Sequence, residues 1–311
     1  MDVQAWTWFV ALAVIGGALA VDLLAFHRDA HEVTLREAVA STAAWVALGL
    51  GFGVLVWSVG GSHAAGEYYA GYLIEKALSV ENVFVFALLL GAFAVPRELE
   101  HRVLFLGVLG ALVLRGLFVA GGAAFLDTFH WAVYVFGAVL IVSGVRMARA
   151  RPGHVVDVQR NPALRLLRRF VAVSDDYDGQ RLFTRRAGRL VATPLLAVLV
   201  VIEASDIVFA VDSIPAIFAV TDTPFLVFTS TAFAMLGLRA MYFLLAGVID
   251  RFVHLKTGLA AVLVVVGVKM LLTDVVHVPV WLTLVVIVTI LATAIAVSLR
   301  AARTPLTTRQ Q

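Results

Sequence analysis

The residues best placed to do chemistry lie between Glu203 and Phe218, in the string EASDIVFAVDSIPAIF, inside an apolar run that begins near Leu190. Glu203, Asp206 and Asp212 put three carboxylates where a bilayer-spanning helix would carry none. A charge at the membrane centre costs roughly 3 kcal/mol on insertion scales, so such groups face an interior pathway or a partner. Pro215 has no N–H to offer the carbonyl of Val211, and its ring crowds that turn. The sequence therefore predicts a weakened helix with a freed backbone oxygen beside Asp212 and Ser213. Carboxylates, a hydroxyl and a loosened carbonyl at membrane depth predict an oxygen-lined cation site.

A second acidic string, YLIEKALSVENVFVFALLLGAFAVP, holds Glu75, Lys76, Glu81 and Asn82. Setting Glu75 on Asp206 also sets Glu81 on Asp212 and Asn82 on Ser213. The correspondence continues: LRGLF at Leu114 matches LRAMY at Leu238, bringing Arg115 onto Arg239, and FGAVLIVSGVRM at Phe136 matches LAAVLVVVGVKM at Leu259, bringing Arg146 onto Lys269. At about 100° per residue, Glu75 and Glu81 do not share a helix face, nor do Asp206 and Asp212. Glu203 and Asp206, three apart, do. A single centre would draw on Glu81 and Asp212, with Asn82 and Ser213 beside them. Glu75, Glu203 and Asp206 would form a second station, a proton relay or partners for basic groups. The buried bases available are Lys76, Arg115, Arg239 and Lys269; internal salt bridges joining helices are the structural alternative for any one acid, but five acids exceed four bases.

The elements that must carry these groups are set by composition. Of 311 residues, 61% are hydrophobic and 14% charged, with mean hydropathy +0.96. A soluble domain is nearer ~50% apolar, so the chain is an all-α polytopic membrane protein. Apolar windows place nine transmembrane helices near 6–26, 38–57, 67–94, 102–124, 130–147, 190–219, 225–247, 256–273 and 279–299. The start MDVQAW lacks a basic n-region, so the first span is expected to be retained. A single transmembrane domain over 1–311 follows. It has a first three-helix repeat at 67–147 (spans 3–5), an arginine-rich loop at 148–189 and a second repeat at 190–273 (spans 6–8). Three spans per unit is an odd number, so the two units run in opposite directions, as an inverted repeat.

Charge sets the orientation. With the N-terminus outside, the eleven arginines from Arg146 to Arg189 and the other basic residues outside the spans fall on the cytoplasmic side or its flanks. The outer stretches GSHAAGE, LDTFH, TDTP and TDVVH hold no Lys or Arg. The formal charge of +3 reflects this bias and argues for no nucleic-acid partner. Within the basic loop, NPALRLLRRFV starts a helix at Pro162 with Leu164, Leu167 and Val171 on one side, suited to an anionic membrane surface or to a solvated linker. SDDYDG has Ser174 and Arg185 at positions where a calcium loop needs carboxylates, so it is not one. Asp22, near the inner end of the first span, is expected to pair with His27 or Arg28 or to belong to the cytoplasmic mouth.

The donors narrow the ion. There is no cysteine, and all eight histidines lie in loops or near span ends. An oxygen-only core favours Mn²⁺, Mg²⁺ or Ca²⁺ over Zn²⁺ or Cu⁺.

The strings VDLLAFHRDAHEVTLREA, GYLIEKALSVENVFVFALL, HRVLFLGVLGALVLRGLF, FHWAVYVFGAVLIVSGVRM, EASDIVFAVDSIPAIFAVTDTPFLVFTSTAFAMLGLRAMYFLLAGVIDRFVHLK and VGVKMLL resemble the TerC (tellurium-resistance membrane protein) family over almost the whole chain. The resemblance implies a bacterial inner-membrane protein linked to tellurium resistance and, in several branches, to Mn²⁺ export. The family's acidic signature maps to Glu75, Glu81, Asn82, Glu203, Asp206, Asp212 and Ser213. Glu81 departs from it, being one methylene longer than the usual Asp.

Two readings follow. One is a transporter exporting Mn²⁺, in exchange for protons. The other is a non-transporting scaffold that binds membrane or secretory proteins through the arginine-rich loop and affects tellurite tolerance indirectly. Neither is enzymatic and neither calls for a cofactor. Direct binding of the tellurite anion is poorly served by a core with surplus acid.

Overall fold

The computed structural model describes residues 4–26, 34–129, 131–149, 162–174, 176–186, 189–245, 255–272, 274–276 and 278–303. Its helices are α1 (Ala5–Phe26), α2 (Leu35–Ala92), α3 (Arg97–Thr128), α4 (Ala132–Arg149), α5 (Pro162–Phe170), α6 (Pro194–Phe218), α7 (Pro224–Leu236), α8 (Leu238–Leu245), α9 (Leu255–Leu271) and α10 (Val280–Arg303). Among the described residues, six helical segments are long and apolar enough to cross a membrane, counting α7 and α8 together. The chain is a multi-pass membrane protein, as its composition requires.

At 58 residues, α2 is about 87 Å of helix at ~1.5 Å per residue, enough to cross about 30 Å of hydrocarbon twice. It opens on a capping box between Thr34 and Glu37 and turns back at Gly61, whose φ of +78° only glycine adopts without strain. The outer loop expected at GSHAAGE thus shrinks to one non-helical residue. The two limbs are tied by phenols: Tyr68 donates to the carbonyl of Gly49 at 2.8 Å and Tyr69 to that of Leu50 at 2.9 Å. Gly53 leaves room for the Tyr69 ring.

The α7–α8 rod is the axis of the bundle, with 89% of its apolar window buried against 22% for α1 and α10, whose large apolar side chains face outward as a lipid-facing surface must. The rod breaks at Gly237, which has no Cβ and lets Trp45 approach closely. α4 and α9 pack antiparallel through glycine: Gly137 meets the carbonyl of Gly267, and Gly144 that of Ala260. Small residues at such a seam let the backbones close up where lipid offers no hydrophobic drive.

Two expectations are corrected. Pro215 lies inside the last turn of α6, which runs on to Phe218, so the weakening is confined to the helix end, while the Val211 carbonyl still lacks the proline's N–H as read. The arginine-rich loop is also more than a linker. α5 begins at Pro162 as read, and its Leu164 is buried, while β1 (Phe183–Arg186) and β2 (Arg189–Ala192) form an antiparallel hairpin that an all-helical reading did not include. This segment docks on the ends of the bundle: Tyr177 donates to the carbonyl of Phe93 at 2.9 Å, and Arg102 to Gln180 at 2.7 Å. Burial holds the Tyr177 phenol above its ordinary pKa. Two carboxylates of SDDYDG serve the hairpin, Asp178 accepting from Thr184 and Asp176 from Arg186, each at 2.7 Å.

Candidate functional site

Helix periodicity arranges the buried polar groups before any packing occurs. On the second limb of α2, Glu75, Ser79 and Asn82 follow at intervals of four and three and share one face. On α6, Glu203 and Asp206 are one turn apart, and Asp206 and Ser213 are two turns apart on one face. α3 brings Arg115 between the two.

Arg115 is 1% exposed and organises the cluster. Its Nε and Nη2 take the two oxygens of Asp206 at 3.3 and 3.2 Å, the bidentate geometry that guanidinium favours. Its Nη1 donates to Glu75 and, at 3.0 Å, to the hydroxyl of Ser213. Glu75 and Asp206, which the internal correspondence equates, thus converge on one cation.

Several neighbours are left with unused bonding capacity. The second Glu75 oxygen, the Ser79 hydroxyl and both polar atoms of the Asn82 amide are buried without a hydrogen-bond partner, as is one oxygen of Glu203. Glu203 packs its carboxylate against Gly110 of α3, where a Cβ would collide with it, and has no ion-pair partner among the described residues. Buried polar atoms are rarely left unpaired, so such a group marks either stored cost or a place for a ligand.

The remaining bases go elsewhere. Arg239 pairs with Asp22 at 2.5 Å, joining α8 to α1, and does not share the acids that Arg115 holds. The expected pairing of Asp22 with His27 or Arg28 falls on residues outside those described. Lys76 donates to the carbonyl of Ala234 at 3.0 Å, satisfying an oxygen that the break at Gly237 leaves open, with Glu75 within electrostatic reach. Lys269 faces Asp222, between α6 and α7, and Glu67 of α2 instead of the central acids. Glu67 also accepts from Thr221 at 3.0 Å.

Glu81 and Asp212 lie on α2 and α6, but their side chains fall outside the described residues. Among the described residues no three His, Cys, Asp or Glu side chains converge as a metal site. The predicted set therefore divides: Glu75, Asp206, Ser213 and Arg115 are together, with Asn82 and Glu203 unpaired nearby in sequence. Sequence reasoning missed Ser79, although its place one turn after Glu75 marks it, and Gly110, which carries no such signal.

The pattern of the Integral membrane protein TerC family matches residues 60–305. The uncharacterized membrane protein STKORF319 of Myxococcus xanthus is 47% identical over 94% of this chain and 91% of its own length. Alx of Escherichia coli K12, whose name proposes a membrane-bound redox modulator, is 46% identical over 92% of this chain and 91% of its own. The Salmonella typhi protein of the same name is 44% identical over 94% of this chain and 93% of its own. No solved structure gives a significant match.

Proposed function

The chain belongs to the Integral membrane protein TerC family, and from that membership and its buried oxygen cluster we propose that it exports Mn²⁺ from the cytoplasm. The observation that carries the reading is the unused capacity of Glu75, Ser79 and Asn82 on one face of α2, in a chain that has no thiolate to offer. Such donors suit a hard divalent ion. Mg²⁺ demands a tighter octahedral shell and sheds water reluctantly, so an irregular set of carboxylate, amide and hydroxyl favours Mn²⁺. Glu81 and Asp212 complete the set in this reading, and Glu203, unmatched by a base, is the group that exchanges protons. The protein sits in the bacterial inner membrane with its N-terminus outside and its C-terminus in the cytoplasm, and contributes to tellurium resistance.

An inverted repeat of 67–147 and 190–273 supplies the alternating geometry such a cycle needs. Its support is the correspondence of the two units, in which Phe136 aligns with Leu259, setting Gly144 on Gly267, both of which lie at the close seam of α4 and α9. The redox name carried by relatives fits indirectly. With no cysteine the chain has no thiol to exchange, and a redox role would run through the metal it moves. The scaffold reading is favoured by one feature, the exposed Leu166 and Phe170 of α5 among arginines, which fit a partner protein or a lipid surface.

Purified protein in proteoliposomes should move Mn²⁺ but little Zn²⁺ or Cd²⁺. Asp212→Asn, which keeps the volume but loses the charge that offsets dehydration of the ion, should abolish flux without loss of membrane insertion. Absence of Mn²⁺ flux through the wild-type protein would overturn the exporter in favour of the scaffold.

A further inference from the structure

Arg115 and Arg239 occupy matching places in the internal correspondence, yet they are used differently. Arg239 meets Asp22 of α1. Arg115 meets two carboxylates, from two different helices, and a hydroxyl as well. If Arg115 were only a pin, the network around it should be closed, because a half-satisfied buried network is costly. It is open: the second oxygen of Glu75, the hydroxyl of Ser79 and the amide of Asn82 await a partner. These leave three oxygens, part of the six or more that a divalent ion takes.

From this geometry, and resting on the exporter reading, we infer that Arg115 is a tethered competitor of the transported divalent ion: its guanidinium holds the place between Glu75 and Asp206 that the ion takes as it passes. The two compete for the same oxygens. The guanidinium occupies both oxygens of Asp206 and one of Glu75, so an ion that takes them displaces it, and its return displaces the ion. No step leaves two bare carboxylates in the core. α3 would move with Arg115, which couples occupancy of the site to displacement of a helix against α2 and α6.

The test is Mn²⁺ binding to the purified full-length protein, read as loss of the free-ion EPR signal. Arg115→Lys keeps the positive charge but cannot grip Asp206 bidentately; it should bind Mn²⁺ several-fold more tightly than the wild type. Arg115→Gln removes the competitor and should bind about tenfold more tightly or better, within the usual range for linked ligands. Its melting temperature should be low without Mn²⁺ and rise more on adding Mn²⁺ than that of the wild type, while its flux falls because nothing displaces the bound ion. Should Arg115→Gln not fold, the Lys variant answers alone. Affinity unchanged or weaker in Arg115→Lys, with wild-type flux intact, overturns this inference and leaves the exporter standing. No binding and no flux in the wild type overturns both.

Discussion

Replacing Gly144 by alanine should loosen the seam between α4 and α9, at a cost that can be worked from the structure. A methyl group there would stand 2.7 Å from the carbonyl oxygen of Ala260 and 2.8 Å from Val264. Carbon contacts are comfortable from about 3.5 Å, and the obstacle is backbone, which has no rotamer to escape into. The helices must part by several tenths of an ångström, which weakens dispersion along the whole seam. Overpacking of this kind costs roughly 1–3 kcal/mol, while alanine gains about 1 kcal/mol over glycine in helix propensity. The net loss is therefore about 0–2 kcal/mol, and a control must isolate the packing cost. Gly121 on α3 provides it, since nothing lies within 4 Å of a Cβ there and Gly121→Ala should show the propensity gain alone. Gly267→Ala would meet the carbonyl of Gly137 at 2.7 Å and should behave like Gly144→Ala. The double variant should cost less than the sum, because a single separation of the same two helices relieves both clashes. Unfolding of the purified protein in detergent, followed by circular dichroism, gives these differences. Gly144→Ala as stable as Gly121→Ala would refute the reasoning, and full additivity would refute the shared seam.

Asp22→Ala leaves Arg239 buried without the carboxylate it grips at 2.5 Å and should cost roughly 3–5 kcal/mol in the same assay; Asp22→Leu combined with Arg239→Leu should recover most of that, since apolar replacement of a buried pair is often near neutral. Tyr177→Phe removes the bond to the carbonyl of Phe93 and should weaken docking of the basic segment by about 1 kcal/mol, seen as faster hydrogen exchange over residues 162–192 and little change in the bundle. Burial raises the Tyr177 pKa, so its contribution to docking is complete below the unfolded tyrosine value of about 10 and is lost only as pH rises through the folded value. Protection factors, with the base-catalysed intrinsic rate divided out, that change between pH 6 and 8, a window set well below about 10, would rule that residue out.

Much of this architecture is local in origin and was therefore legible in the chain itself. Runs of apolar residues long enough for a bilayer identify the crossings, Pro162 starts α5, and spacings of three and four place Glu203 with Asp206 on one face whatever the helix later packs against. The short reach of these rules also explains their failures. Apolar length separates two spans on either side of Gly61 but cannot say that a single residue suffices to join them. A proline rule anticipates a weakened helix but not that Pro215 falls so near the end of α6 that nothing breaks.

Which acid meets which base was decided by tertiary structure alone. Arg115 reaches Asp206 across 91 residues and Arg239 reaches Asp22 across 217, and both choices depend on how far each helix is rotated about its axis when the bundle closes. Periodicity places a side chain on a face; only packing decides what that face meets. The sequence by itself therefore determined that acids lie in the membrane and that four bases could answer them. Packing sent Lys76 to a carbonyl, Lys269 toward Asp222 and Glu67 and Arg239 to α1, leaving Arg115 between two carboxylates.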